Sequence, residues 1–323
     1  MNRRDFLLTV GTVAWYAGSD AQPAVKMPRV GYLAFGGPSQ RLHEGFRQGL
    51  REFGYVEGRN LAVEYRFAQG KASALDAFAE ELIRLGVDVI VAPDPPSFQA
   101  AMKATKTIPI VMRASTDPVA SGVVASFARP GGNVTGVFSF YSALNGKRME
   151  LLKEAVPATS RVMVLMNSRY ADARKELAAA EAAARPLGLR LMPQDVHDAG
   201  GLKNAFKTAR AEGANGLLVL RSPLFVTNAA QIASLATEAR LPAVYDDTPY
   251  VDAGGLMSYG ADLRELYRHT ASYVDRILKG AKPAELPIEQ PTKVDLAVNL
   301  KSARLLGVRI PRSVLLRADR VIE

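Results

Sequence analysis

From residue 29 onward the hydrophobic and polar positions follow two alternating rhythms. Short apolar runs rich in β-branched residues fall at 29–35, 60–66, 87–92, 108–112 and 133–138. Between them, apolar residues recur at helical spacing over 39–53, 72–85, 97–104 and 119–127. Strand-like runs alternating with helical patterns predict βαβ units and a parallel sheet. Gly54 falls where a glycine closes the first helix. The run Arg129-Pro130-Gly131-Gly132 interrupts the series before its last strand.

A second series of the same kind follows. It predicts helices over 144–156, 171–187, 201–212, 227–240 and 263–279, and strands over 161–166, 189–192, 216–220, 243–245 and 255–259. A proline-rich connection over 282–291 leads to a last strand at 294–300 and a short C-terminal segment. The fold class expected is α/β, with two doubly wound parallel-sheet lobes joined by a multi-strand hinge. Lobe 1 takes 28–138 plus about 260–282, and lobe 2 takes 142–255 plus about 290–323. The hinge is placed near 138–142, 255–260 and 282–290. Two such lobes suggest a clamshell that closes on a ligand by hinge bending.

The N-terminus stands outside this pattern. Arg3 and Arg4 precede Phe6, Leu7 and Leu8, a short apolar run continues to Ala17, and Ser19-Asp20-Ala21 ends it with small residues. This is the layout of a secretory signal peptide cleaved after about Ala21, and the paired arginines resemble a twin-arginine export signal. The apolar run is too short to span a bilayer. The chain has no cysteine, which excludes disulfides, thiolate metal sites, a cysteine nucleophile and a lipoprotein anchor. The expected product is therefore an exported, periplasmic protein. Its net charge of +9 is spread along the chain with no basic block or aromatic–basic interleaving, which argues against nucleic acid as a partner.

Catalytic signatures are missing from the 323 residues. There is no phosphate-binding loop, no dinucleotide fingerprint and no nucleophile elbow. His43, His197 and His269 fall in separate units and read as helix-surface or loop residues. Asp246-Asp247 has no further carboxylate or histidine beside it in sequence and reads as a polar cleft contact. No metal or cofactor is expected.

Several ordered blocks point to one family. They include Gly54-Tyr55-Val56-Glu57-Gly58, Thr107-Ile108-Pro109-Ile110-Val111, Asp117-Pro118-Val119 and Arg129-Pro130-Gly131-Gly132-Asn133-Val134-Thr135-Gly136. Further along come Lys147-Arg148, Glu150-Leu151-Leu152, Ala253-Gly254-Gly255-Leu256-Met257-Ser258-Tyr259-Gly260, Gln290-Pro291-Thr292-Lys293 and Val321-Ile322-Glu323. With these the chain resembles the ABC-transporter substrate-binding proteins of the aromatic-amino-acid (tryptophan) type, which have the type I periplasmic-binding-protein fold. The resemblance implies a soluble receptor that delivers a small solute to an inner-membrane ABC permease with its ATPase. It implies no catalysis, and free diffusion to a permease fits a monomer.

In open parallel sheets ligands sit beyond the carboxyl ends of the strands, which makes the strand-end loops the candidate site. Ser39, Ser97, Ser115 and Thr116 offer hydroxyl donors near helix starts, where unpaired N–H groups suit a carboxylate. Asp117 and Asp246 are available to an amine, and Phe35, Tyr141, Tyr170 and Tyr245 to an apolar or aromatic portion. Asn167 and Tyr259 complete the set. Asp117 before Pro118 also fits a helix cap, and Tyr259 also fits core or hinge packing. Asp94-Pro95-Pro96 stands where relatives commonly carry a hydroxyl residue, and Arg221-Ser222 stands where an aspartate is usual. These departures favour an acidic or carboxylate-bearing ligand paired with Arg221 or Arg169 as a competitor to a simple aromatic amino acid. Two other classes were weighed: an exported α/β hydrolase using the interlobe cleft, for which no nucleophile or metal constellation assembles, and a repressor-type effector domain, for which a signal stands in place of the helix-turn-helix.

Overall fold

The structure is a computed structural model that describes residues 27–115, 117–139, 143–170, 173–290 and 293–323. The expected signal segment, Thr116 and Tyr141 lie outside the described residues. The first series forms β1 (Arg29–Ala34), α1 (Gln40–Glu52), β2 (Ala62–Phe67), α2 (Ser73–Arg84), β3 (Val89–Ala92), α3 (Pro95–Ala104), β4 (Ile110–Ala114) and β5 (Val134–Phe138). Their 5-stranded sheet has the order β2-β1-β3-β4-β5, with every pairing parallel.

The second series comprises α4 (Leu144–Ala155), β6 (Arg161–Met166), α5 (Ala173–Ala184), β7 (Arg190–Asp195), α6 (Gly201–Ala211), β8 (Gly216–Val219), α7 (Pro223–Thr227) and α8 (Ala229–Glu238). It continues through β9 (Val244–Tyr245), α9 (Thr248–Asp252), β10 (Met257–Gly260), α10 (Leu263–Leu278), β11 (Asp295–Asn299), α11 (Leu300–Leu306), α12 (Arg312–Leu315) and β12 (Arg320–Ile322). Sheets β7-β6-β8 and β12-β11-β10-β9 are linked by a parallel bridge between Leu217 and Ala243. The β10–β11 pair is antiparallel, so this second sheet is mixed.

Each sheet is buried on both faces, which is why its strands read as continuous apolar runs. In β6, Val162, Val164 and Met166 enter one apolar cluster, while Met163 and Leu165 enter another. In β4, Ile110, Met112 and Ala114 join the cluster under α2 and α3. Val111 joins the one that holds residues of α1 and α10. Arg113 interrupts that second, apolar face.

Several expectations are corrected. The segment 119–127 forms turns instead of a helix, because Gly122 adopts a φ of 71° and ends the turn that Asp117 starts. The helix expected at 227–240 is α8, and a short helix not expected, α7, precedes it and ends before Asn228. The hinge strand expected near 255–260 is β10, which is paired along its length in the second sheet; the chain returns to the first lobe only after Gly260. Glu289, placed in the hinge, bridges Val137 at the edge of the first sheet.

The α10 return is fastened by close helix packing. A Cβ at Gly49 in α1 would lie 2.3 Å from the Arg268 carbonyl oxygen of α10, and one at Gly45 would lie 2.6 Å from that of Arg264. Both glycines are buried. Substituting Gly49→Ala is expected to force α1 and α10 apart and to lower stability by about 1–3 kcal/mol, measured by denaturant unfolding. An unchanged midpoint would show that these helices have slack.

Candidate functional site

The strand ends of both sheets meet across a cleft of about 470 Å³. The loop after β1 (Phe35, Gly36, Gly37, Pro38) and Gln69-Gly70 after β2 line one wall. Asn167, Arg169 and Tyr170 after β6, His197 and Asp198 after β7, and the start of α7 line the other. A Cβ on Gly36 would stand 3.7 Å from the Pro223 side chain of the opposite wall.

The structure divides the expected site residues into those that face the cleft and those used elsewhere. Phe35, Asn167 and Tyr170 line it. Tyr170 is buried, and burial pushes its phenol well above the ordinary range, with Asp94, Arg113, Arg221 and Glu176 all within electrostatic reach. Asn167 donates to Ser222 Oγ at 3.4 Å and accepts from the Arg169 N–H at 3.1 Å.

Asp94 and Ser97 form a capping box on α3 instead. Asp94 Oδ1 accepts from the Ser97 N–H at 3.0 Å and Oδ2 from the Phe35 N–H at 3.0 Å, so both carboxylate oxygens are occupied. Burial raises this carboxyl, and the N–H donors oppose the rise. Asp117 is likewise a cap: its Oδ1 accepts from Val119 at 2.8 Å and from Ala120 at 3.0 Å. Ser39 precedes α1 without a side-chain cap, and its N–H donates to His43 Nδ1 at 3.3 Å. Tyr245, expected as a stacking platform, lies in the core against Tyr250, ring centroids 4.5 Å apart. Tyr259 packs on the other face of that sheet, and its carbonyl accepts from Arg148 Nε at 2.8 Å.

Arg221 and Asp246, each assigned to a ligand, are bound to one another. Their contact is 2.7 Å with side chains 8% and 3% exposed, so each charge already has its counter-ion. The neighbour Asp247 reaches into the other lobe. Arg41 of α1 contacts Asp247 at 3.2 Å and Asp262, the cap of α10, at 3.0 Å. Through Arg41 and Asp247 this ion cluster joins α1 of the first lobe to the loop after β9 in the second. Burial lifts Asp247 to about 6 even with Arg41 beside it.

Sequence reasoning missed Arg113 and Glu176. Arg113 is 5% exposed, and its Nε and Nη1 have no hydrogen-bond partner; its guanidinium lies 5.6 Å from the Tyr267 ring centroid. Its signal was a lone arginine inside a run that otherwise reads as buried strand. Glu176 in the first turn of α5 is 2% exposed, accepts from the Arg221 N–H at 3.2 Å and leaves Oε1 without a partner. A lone acid in an alanine-rich helix gave no comparable signal. His43 also departs from expectation: it is buried beneath Tyr32 and Phe67, and burial lowers it to about 4.

Burial raises Glu176 from 4.5 to about 7. The folded state therefore holds a proton that the unfolded chain releases near 4.5. Its contribution to stability is complete below that pH and is lost as pH rises through about 7. Glu176→Gln is expected to match the parent in acid and to exceed it by roughly 2–3 kcal/mol above neutrality, read from unfolding free energies across pH. A pH-independent difference would contradict this.

Comparisons with known proteins agree with the geometry. The family described as ABC transporter substrate binding protein matches residues 36–322. A protein named Tyrosine-binding protein, from Clostridioides difficile (strain R20291), is 25% identical over 269 residues, covering 83% of this chain and 77% of that one. A domain solved in complex with L-Trp from Streptococcus pneumonia is 27% identical, with a TM-score of 0.82 over 91% of this chain and 99% of its own. A conserved domain protein from Vibrio cholerae is 29% identical, with a TM-score of 0.84 over 92% of this chain and 100% of its own. The architecture is the type I periplasmic-binding-protein fold. By the extent of the family match and the agreement of fold, this chain belongs to the ABC transporter substrate-binding proteins.

Proposed function

We propose that the solute carried by this receptor is an amino acid or a similar carboxylate-bearing molecule, gripped between the lobes in the periplasm and released to an inner-membrane ABC permease. The observation that carries the reading is the cleft itself: about 470 Å³, within the range of small-molecule sites, with Tyr170 and Phe35 as aromatic walls and strand-end loops from both sheets. Relatives named for tyrosine and solved with L-Trp support an amino acid. The signal at 1–21, twin-arginine in type and cleaved after about Ala21, supports export, and the lack of cysteine argues against a lipid anchor. No helix among the described residues is long and apolar enough to cross a membrane. The reading includes a monomer, the lobe division set out above with its hinge moved beyond Gly260, and no bond made or broken in the solute.

The test is calorimetry and thermal shift on residues 22–323 with the standard amino acids. A solute that binds the folded closed form raises the melting temperature by mass action. Tyr170→Ala is expected to weaken binding by at least about tenfold. Arg41→Ala is expected to weaken it by about two- to tenfold, with the effect shrinking at high salt, since the Arg41 contacts are partly exposed. Equal affinities in both variants would remove the cleft from consideration. Turnover of the bound solute would overturn the receptor reading.

A further inference from the structure

At the cleft end of β4 and β5, neighbouring side chains carry hydrogen-bond donors with nothing to donate to. Arg113 and Ser115 are two residues apart and so share one face of the sheet. Strand β5 runs in register beside them, with Arg113 opposite Val137 and Ala114 opposite Phe138. The Ser139 N–H then donates to the Ala114 carbonyl at 3.0 Å, which sets Ser139 beside Ser115. Ser139 keeps the alternation of Val137, which packs in the same cluster as Val111, so all these side chains lie on the Arg113 face. Ser115 is 1% exposed and Ser139 is 6% exposed. Arg113 Nε and Nη1, Ser115 Oγ and Ser139 Oγ are all buried without a hydrogen-bond partner.

Buried polar groups are nearly always paired, and an unpaired guanidinium is the costliest kind to leave so. The acid within reach, Asp94, already accepts from Phe35 and Ser97. The Tyr267 ring flanks the guanidinium and offers no acceptor to these donors. Tyr170, from the opposite lobe, is within electrostatic reach of Arg113 and lines the cleft. Arg113, Ser115 and Ser139 lie beside the residues that line the cleft and not among them, and Tyr170 is the lining residue that Arg113 influences. One full positive charge with N–H and O–H donors around it matches a planar, singly charged carboxylate, which a guanidinium receives through parallel N–H bonds. A phosphate dianion would bring a second negative charge, whereas the cluster of Arg113, Ser115 and Ser139 holds one cation.

We propose that Arg113, assisted by Ser115 and Ser139, holds the carboxylate of the solute and selects acids over their amides. The proposal rests on the cleft-binding reading above and adds to it the residue that recognises the ligand's charge. It names Arg113 for the role in which the sequence offered Arg221 or Arg169, of which Arg221 is paired with Asp246.

Calorimetry on residues 22–323 tests it, with L-tryptophan, L-tyrosine and the other standard amino acids, the primary amide of each acid that binds, and inorganic phosphate. The parent is expected to bind at least one acid about a hundredfold more tightly than its amide. Arg113→Met is expected to lose about a hundredfold for the acid and to bring the two forms within about threefold of each other. Should that variant fail to fold, Ser115→Ala and Ser139→Ala keep the test open: each is expected to weaken acid binding by about tenfold with little change in amide binding or melting temperature. Equal binding of acid and amide by the parent, or an acid preference that survives in Arg113→Met, overturns the carboxylate role while leaving the receptor reading intact. Phosphate binding that excludes the acids does the same. Binding of no probe at all overturns both.

Discussion

Strands that end at a cleft lose their ladder there, and the polar groups beyond them meet the opposite lobe instead of bulk water. Every such group must pair locally, pair across the gap, or wait for a solute. The site is sorted by that rule. Asp94 is satisfied by an N–H of α3 and one of the loop after β1, and Asp117 by N–H groups of the turn it starts. Arg221 and Asp246 are satisfied by each other within the second lobe. Arg41 and Asp247 pair across the lobes. Glu176 Oε1 in the second lobe and Arg113, Ser115 and Ser139 in the first are left over, and the last three lie together on one sheet face.

The local pairs do more than neutralise charge. Asp94 accepts from Ser97 in its own helix and from Phe35 in the loop after β1, so one carboxylate fixes the start of α3 and a cleft wall together. A buried ion pair such as Arg221–Asp246 contributes little net stability once desolvation is counted. Its value is positional, because Arg221 also donates its N–H to Glu176 and so joins the ends of β8 and β9 to the first turn of α5. Rigid walls of this kind reduce the ordering cost at the moment a solute arrives.

How much of this was legible in the sequence depends on what each residue contacts. The βα alternation was plain because strands covered on both faces must be apolar throughout, as in Val162 to Met166. Gly54 was read correctly as the residue that follows α1, and it adopts a φ of 86°. The role of Asp94 or Asp117 was not legible. An acid at a helix start suits an amine ligand and a backbone cap equally well, and only geometry shows that the N–H groups claim it. Arg221 and Asp246 are 25 residues apart, and no local pattern announces that they meet. Arg113 carried the clearest overlooked signal, since an arginine in a strand buried on both faces requires a counter-charge that its own strand does not provide. The short helix α7 ahead of α8 was not legible, because its start depends on the Ser222 cap and Pro223 and not on hydrophobic spacing.

The balance of forces between the lobes follows from the same inventory. The ionic tie between the lobes runs from Arg41, about a third exposed, to Asp247. Solvent screens such contacts to around a kilocalorie or less apiece. Closing the cleft also desolvates Arg113 with nothing to receive its N–H groups, and that cost opposes the tie. An occupant that completes the Arg113 cluster removes that cost. Differential interaction with the two states is the only means by which a ligand can shift such an equilibrium. A guanidinium with two buried N–H atoms unpaired is therefore suited to couple occupancy to lobe closure, and the exposed ion pair biases the equilibrium on which that coupling acts.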